Sequence, residues 1–211
     1  MPVKIAFIGA GSFGFTRTVL KDILTFPNLA DADIALMDID AERLAMARAC
    51  CRKLIDAGGY KARLTATTNR RRALDQADAV IITILSGRTD VWQHDILIPK
   101  TYGVDICIGD TRGPSGVFRA LRTIPDMLAI CKDVAAWCPG ALVLNYTNPM
   151  AMLCHAMQTA YPQLAVSGLC HSVQGTANML AQWLGKTEAD IDYVCAGLNH
   201  MAWYLRFEHQ G

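Results

Sequence analysis

Two short stretches in the second half of the sequence carry residue types that bind metal ions. In GLCHSVQG (168–175), Cys170 and His171 follow the apolar run 164–169, and in CAGLNHMAWYL (195–205), Asn199 and His200 follow a second apolar run. A thiolate and an imidazole are both ligands for transition metals. Their separation fits no short structural zinc motif, and two protein ligands leave positions open for substrate and water. The residues alone also allow a buried, inert thiol and an ordinary core histidine.

A glycine-rich loop near the start of the sequence predicts a dinucleotide site. The stretch IAFIGAGSFGF (5–15) places Gly9-x-Gly11-x-x-Gly14 after an apolar run and before a helical pattern. Gly9 permits a tight turn, Gly11 lets backbone N–H groups approach a pyrophosphate, and Gly14 lets the helix pack closely on the strand.

An aspartate downstream strengthens this prediction. Asp38 ends the next apolar run, IALMDID (34–40), where a carboxylate accepts hydrogen bonds from ribose hydroxyls and favours NAD over NADP. The alternative is a glycine turn followed by a surface aspartate, and Asp40 is better placed to cap the next helix. The predicted cofactor contacts are Gly9, Gly11, Ser12, Phe13, Gly14 and Asp38.

Strand-like and helix-like segments alternate along the chain. Apolar runs at 3–8, 34–37, 79–85, 141–146 and 164–169 predict strands, several of them buried on both faces, and 63–67 is a further strand candidate. Helical spacing covers 16–25, 41–57, 121–137 and 173–184. The alternation predicts an α/β fold with a Rossmann-like, doubly wound, mainly parallel sheet.

The end of the chain has a different pattern, strand, loop and strand over 192–211, which predicts the beginning of a second, α+β domain. We place the NAD-binding domain at 1–170 and the beginning of a metal and substrate domain at 171–211, with the rest of that domain missing.

Composition excludes several classes of protein. The 211 residues carry a net charge of +1 and are 52% hydrophobic, which gives no argument for nucleic acid or an anionic membrane as a partner. No apolar run approaches the roughly 20 residues of a membrane-spanning helix, and the start does not resemble a signal peptide. The eight cysteines are scattered, so we expect reduced thiols and a cytoplasmic location.

Several motifs together resemble glycoside hydrolase family 4, and the resemblance covers the whole chain. They are the glycine loop, GDTRGPSG (109–116), RALRTIP (119–125), LNYTNPMAM (144–152) and the two cysteine and histidine stretches. Cys-His-Ser-Val is typical of the α-galactosidase (melibiase) branch. The resemblance implies NAD⁺ and a divalent metal, usually Mn²⁺, with Cys170 and His200 as the metal ligands. A thiolate by itself suggests zinc or iron, because manganese prefers carboxylate and water.

The resemblance also implies a mechanism for hydrolysing α-galactosides. The sugar is transiently oxidised at C3, loses its C2 proton, eliminates the aglycone, adds water at C1 and is reduced again at C3. Asn148 matches an asparagine that holds sugar hydroxyls, Asp110 is expected to contact sugar or cofactor, and Asn199 to orient His200 or touch substrate. For each of Asn148, Asp110 and Asn199, the alternative is a structural role in a turn or loop.

His171 is the predicted catalytic residue. It stands where the phospho-α-glucosidase branch has an aspartate proposed as general acid, and an imidazole can donate a proton near neutral pH. The alternative is that His171 only recognises the galactosyl ring.

Two other functions stay open, an NAD-dependent lactate- or malate-type dehydrogenase and a non-catalytic NAD-binding fragment. The pairing of Cys170 with His200 separates the glycosidase from the dehydrogenase, and only the early end of the chain supports the non-catalytic fragment. The family's proposed base is a tyrosine further along longer members, so this chain alone is expected to bind NAD but turn over poorly. The full-length protein is expected to be a homo-oligomer that acts on a small sugar.

Overall fold

Six parallel strands form the main sheet of the computed structural model, which describes residues 2–106 and 109–209. They are β1 (Lys4–Ile8), β2 (Asp33–Met37), β3 (Arg63–Thr67), β4 (Ala79–Ile82), β5 (Leu142–Asn145) and β6 (Ala165–Gly168). Their order is β3-β2-β1-β4-β5-β6, and each neighbouring pair is parallel. The order reverses direction between β1 and β4, which confirms the doubly wound, Rossmann-like prediction.

Helices cover both faces of this sheet. They are α1 (Phe13–Thr25), α2 (Ala41–Ala57), α3 (Arg70–Leu74), α4 (Arg88–Thr101), α5 (Gly113–Trp137), α6 (Met150–Ala160) and α7 (Ser172–Trp183). Two separate apolar cores result, one including Phe7, Leu20 and Leu36 and the other including Val80 and Met127. Among the described helices, none is both long and apolar enough to cross a membrane.

A two-stranded antiparallel hairpin follows, made of β7 (Asp192–Leu198) and β8 (Met201–Glu208). The turn contains only Asn199 and His200, so His200 lies at the tip. The Tyr204 hydroxyl donates a hydrogen bond to the Val173 carbonyl oxygen in α7, which attaches the hairpin beside the end of β6. The predicted strand, loop and strand are therefore present, and the domain boundary at 170/171 stays a prediction.

Several elements differ from the sequence-based segments. The strand predicted at 79–85 ends at Ile82, because the Ile84 amide donates instead to Thr147 Oγ1. The helix predicted at 121–137 begins earlier, at Gly113, with a proline in its first turn. Helices α4 and α6 were not predicted. The run 164–169 is not a strand buried on both faces, because β6 is an edge strand with one face against α6 and the other exposed.

Candidate functional site

The glycine loop turns sharply between β1 and α1. Gly9 has a φ of +89°, and a Cβ there would lie 2.6 Å from the Thr83 carbonyl oxygen, so this turn requires glycine. The Gly11 amide donates to Asp38 Oδ2 at 2.7 Å. A Cβ on Gly11 would lie 2.7 Å from the same oxygen. Gly11 thus lets the Asp38 carboxylate approach the loop backbone.

Two backbone amides hold the Asp38 carboxylate in place. Its second oxygen accepts a 2.9 Å hydrogen bond from the Asp40 amide. Asp40 caps α2 by accepting from the Glu42 and Arg43 amides, as the sequence predicts. Arg43 in turn donates from Nε and Nη2 to the Gly11 carbonyl oxygen, at 3.2 and 3.0 Å. The loop and the carboxyl end of β2 therefore form one bonded unit.

The beginning of α1 corrects one prediction. Ser12 is the N-cap, Phe13 is the first helical residue, and both precede an exposed Gly14. A Cβ on Gly14 would meet no atom within 4 Å, so the expectation that Gly14 permits close helix–strand packing is wrong. Thr16 makes that contact instead, since it is fully buried and donates to the Ala10 carbonyl oxygen at 2.8 Å. Open space at Gly14 leaves the helix N-terminus accessible to an anion.

Cys170 and His200 face each other across 30 residues of sequence. Cys170 Sγ lies 3.4 Å from His200 Nε2. At usual zinc bond lengths, about 2.3 Å to sulfur and about 2.05 Å to nitrogen, two ligands on one ion lie about 3.1 Å apart at a right angle and about 3.6 Å apart at the tetrahedral angle. The observed separation falls between these values, so the pair fits two ligands of one ion.

The surroundings of this pair suit an open metal site. In the described part of the chain, no three His, Cys, Asp or Glu side chains form a metal-binding group. An ion held here would keep positions free for other ligands. The Ser172 hydroxyl lies 2.9 Å from Cys170 Sγ, and the Ser172 amide donates to the same sulfur at 3.4 Å. His200 has a φ of +59°, a left-handed conformation that is uncommon for histidine.

A hydrogen-bond network joins the other predicted residues to His200. Asp110 accepts from Thr111 Oγ1 at 2.7 Å and from Asn148 Nδ2 at 3.1 Å. Asn148 Oδ1 accepts from Asn199 Nδ2 at 2.9 Å. Thr111 Oγ1 lies 2.8 Å from His200 Nδ1. Asn199 therefore orients Asn148 directly, and Asp110 is the central acceptor.

These residues surround a cleft of about 260 Å³ at the carboxyl ends of β5 and β6. Five of the predicted site residues line it, namely Asp110, Asn148, Cys170, His171 and His200. His171 is exposed and lies at the N-cap of α7. Asp38 and the three loop glycines lie outside the lining, at the ends of β1 and β2, where an extended dinucleotide could reach from one position to the other.

Two aromatic residues that the sequence analysis missed also line the cleft. Phe15 and Tyr146 meet edge to face, with ring centroids 6.0 Å apart. Burial, and then the nearby Asp22 carboxylate, raise the pKa of the Tyr146 phenol, so it stays neutral at physiological pH. The available signals were position, because Phe15 follows the glycine loop and Tyr146 precedes Asn148 by two residues. The pair links the glycine loop to the cleft.

Arg122 has a different role from the cleft residues. Its guanidinium bonds both oxygens of buried Asp95, with Nη1 at 2.9 Å from Oδ1, and donates from Nε to the Ser86 carbonyl oxygen at 3.1 Å. This hydrogen bonding raises the Arg122 pKa above its ordinary value. Arg122 thereby fastens α4 and α5 to the segment that follows β4.

Comparison with known proteins decides the family. The model of family 4 glycosyl hydrolases matches residues 4–186. This chain belongs to that family. It is 42% identical to the α-galactosidase of Rhizobium meliloti (strain 1021) over 96% of its own length and 41% of that protein's. It is also 42% identical to the α-galactosidase of Bacillus subtilis (strain 168), over 99% of its length and 48% of that protein's.

Two solved structures of 6-phospho-α-glucosidases share the fold. A 6-phospho-α-glucosidase from gut microorganisms, in complex with NAD and glucose-6-phosphate, is 25% identical with a TM-score of 0.90. A second structure of a 6-phospho-α-glucosidase from gut microorganisms contains NAD and Mn²⁺, at 23% identity and a TM-score of 0.88. Both alignments cover 100% of this chain and 48% of the other. The family 4 chain described here thus spans about half the length of the relatives it matches.

Proposed function

We propose that this family 4 chain acts in the hydrolysis of α-galactosides with NAD⁺ and Mn²⁺ as cofactors. The observation that carries the proposal is the 3.4 Å approach of Cys170 Sγ to His200 Nε2 at a cleft reached from the glycine loop. The 42% identity to two α-galactosidases supports the choice of sugar. A lactate- or malate-type dehydrogenase transfers hydride without a metal ion, so a thiolate metal ligand argues against that alternative.

The residues present fit both cofactors. The glycine loop and the N-terminus of α1 would hold the pyrophosphate, and Asp38 the ribose hydroxyls. Cys170 and His200 would hold the metal ion. When bound, NAD⁺ would supply a reversible hydride acceptor, and the metal ion would supply Lewis acidity.

The order of bond changes follows from acidity. The C2 proton of a sugar is removable only when C3 is a ketone, so oxidation at C3 comes first. Loss of the C2 proton then allows the C1–oxygen bond to break, water adds at C1, and C3 is reduced to an alcohol. We assign no residue of this chain as the base that takes the C2 proton.

Chain residues orient the sugar and deliver a proton. Asn148 has one N–H bonded to Asp110 and its oxygen bonded to Asn199, so its remaining N–H is fixed in direction and available to a sugar hydroxyl. His171 lines the cleft beside Cys170, where its imidazole would protonate the departing aglycone oxygen. We propose Asn148, Asp110 and Asn199 as the substrate-orienting group. Self-association and a cytoplasmic location stay predictions from the sequence.

The test combines product release with the state of the cofactor. The chain is incubated with NAD⁺, Mn²⁺ and a nitrophenyl α-galactoside, and nitrophenol and reduced nicotinamide are followed together. Nitrophenol release without net NADH supports the proposal, whereas NADH that accumulates in step with substrate contradicts it.

A binding measurement covers the case of slow turnover. Methyl α-galactoside is expected to change the electron paramagnetic resonance (EPR) spectrum of bound Mn²⁺ more than methyl α-glucoside does. C170A and H200A should remove bound Mn²⁺, while C50A and H155A, two variants outside the cleft lining, should retain it. Mn²⁺ bound equally by all four variants would exclude the proposed metal site.

A further inference from the structure

We infer that Thr111 is a positioning residue that fixes the tautomer of His200 and so aims the lone pair of Nε2 at Cys170 Sγ. The inference rests on the proposed role of Cys170 and His200 as metal ligands. It adds a residue that neither the motif spacing nor the resemblance assigned.

The direction of the hydrogen bonds follows from donor counting. Thr111 Oγ1 has a single proton and lies 2.7 Å from Asp110 Oδ1 and 2.8 Å from His200 Nδ1. An ionised carboxylate can only accept, so the hydroxyl proton points to Asp110. The hydroxyl oxygen then accepts from His200, which places the ring proton on Nδ1. In neutral imidazole the other nitrogen, Nε2, carries the lone pair.

The threonine is needed as a bridge because the carboxylate is too distant to act alone. Asp110 Oδ1 lies 3.8 Å from His200 Nδ1, beyond the range of a hydrogen bond. Metal-binding histidines commonly donate their second N–H to an oxygen acceptor, which fixes ring orientation and tautomer. Here the carboxylate acts through the hydroxyl of the next residue.

Contacts from other elements hold this bridge still. Asn148, which follows β5, donates to Asp110 Oδ2 at 3.1 Å, so the carboxylate plane is fixed from its far side. Arg112 Nη1 lies 2.8 Å from Met201 Sδ, which joins the loop carrying Thr111 to the first residue of β8. The hairpin tip and the loop therefore keep a constant separation at His200.

The decisive variant is T111V, which keeps the shape of the side chain and removes the hydroxyl. The chain is labelled with ¹⁵N-histidine and freed of metal, and the nitrogen shifts and two-bond couplings of His200 are read at pH 8. We expect the Nδ1–H form in the parent chain and in T111S, and a mixture or the Nε2–H form in T111V. D110N is expected to disturb the tautomer as well. The amide introduced at position 110 can donate a hydrogen bond to the Thr111 hydroxyl, whereas the Asp110 carboxylate can only accept one from it.

Metal affinity gives a second readout that needs no turnover. Loss of the free Mn²⁺ signal in EPR measures binding to the chain alone. We expect T111V to bind about 10- to 100-fold more weakly, with T111S close to the parent chain. T101V is the matched control, since Thr101 also donates its hydroxyl, to the Ile98 carbonyl oxygen at 2.7 Å, but lies at the end of α4.

The outcomes separate this inference from the proposed function. If C170A and H200A abolish Mn²⁺ binding while T111V keeps the parent tautomer and affinity, the inference is wrong and the metal site stands. If C170A and H200A bind like the parent chain, the metal site itself is wrong, and the inference fails with it. Where T111V fails to fold, T111A takes its place beside T111S: an Nδ1–H form of His200 retained in T111A overturns the inference.

Discussion

Backbone strain at His200 should be measurable by comparing two substitutions at that position. The residue has a φ of +59° at the tip of the hairpin. A side chain in this left-handed region costs about 1–2 kcal/mol, which glycine avoids. Glycine loses about 0.4–1 kcal/mol through the greater freedom of the unfolded chain. H200G should therefore be more stable than H200A by about 0.5–1 kcal/mol, although both lack the imidazole.

The neighbouring turn residue provides the opposite expectation. Asn199 is not among the described residues with positive φ, so N199G should be less stable than N199A by about 0.4–1 kcal/mol. Urea unfolding and amide exchange of the β7–β8 hairpin, both without metal, measure the two pairs. If H200A and H200G are equally stable, or if glycine changes stability relative to alanine in the same direction at positions 199 and 200, the backbone at His200 is not strained and the reasoning fails. A confirmed inversion would mean that histidine is kept at a position where glycine folds better.

Three further outcomes follow from contacts described above. D38S should weaken NAD binding about tenfold, because the ribose hydroxyls lose hydrogen bonds to a charged acceptor. D40A should lower the free energy of unfolding by about 1 kcal/mol through loss of the α2 cap and leave NAD affinity unchanged. Isothermal titration with NAD and urea unfolding measure the two effects, and a large loss of NAD affinity in D40A would contradict the assignment of Asp38. Y204F should lower the free energy of local unfolding of the hairpin by about 1 kcal/mol and weaken Mn²⁺ binding. Unchanged amide hydrogen exchange rates in β7 and β8 would show that the Tyr204 hydroxyl does not anchor the hairpin. Burial raises the pKa of the Cys51 thiol to about 11, and because the unfolded thiol ionises from about pH 9, stability should fall between about pH 9 and 11. Urea unfolding across this pH range should show a smaller fall in C51A, and an equal fall would show that Cys51 is not its source.

The elements that could be predicted from sequence are those with a local signal. Apolar runs located five of the six strands of the main sheet, and β3 was a candidate without such a run. The glycine pattern with Asp38 located the nucleotide loop. The missed helix α4 has no comparably clear apolar spacing in the sequence. The α6 segment does have helical apolar spacing, with Leu153 and Met157 buried, and was overlooked. The end of β4 could not be predicted either, because it depends on Thr147, which accepts from the Ile84 amide and follows the neighbouring strand β5.

The candidate site needed information that no local pattern contains. Cys170 and His200 were paired only through the resemblance, since the hairpin that brings them together is a tertiary contact. Thr111 was overlooked for the same reason, because it meets His200 only across 89 residues. The predicted packing role of Gly14 was wrong. A glycine that leaves space for a ligand and a glycine that lets a helix pack closely on a strand cannot be distinguished in a sequence.

The placement of the two candidate ligands has a mechanical consequence. Cys170 lies beside the edge strand, and His200 lies at the tip of a separate hairpin. An ion joining them would act as a crosslink closing a loop of about 30 residues, worth about 3–4 kcal/mol if chain entropy is counted as for a disulfide of that span. Removal of the ion by a chelator should therefore affect more than the cleft. It should expose β7 and β8 to local unfolding and proteolysis while the parallel sheet stays intact.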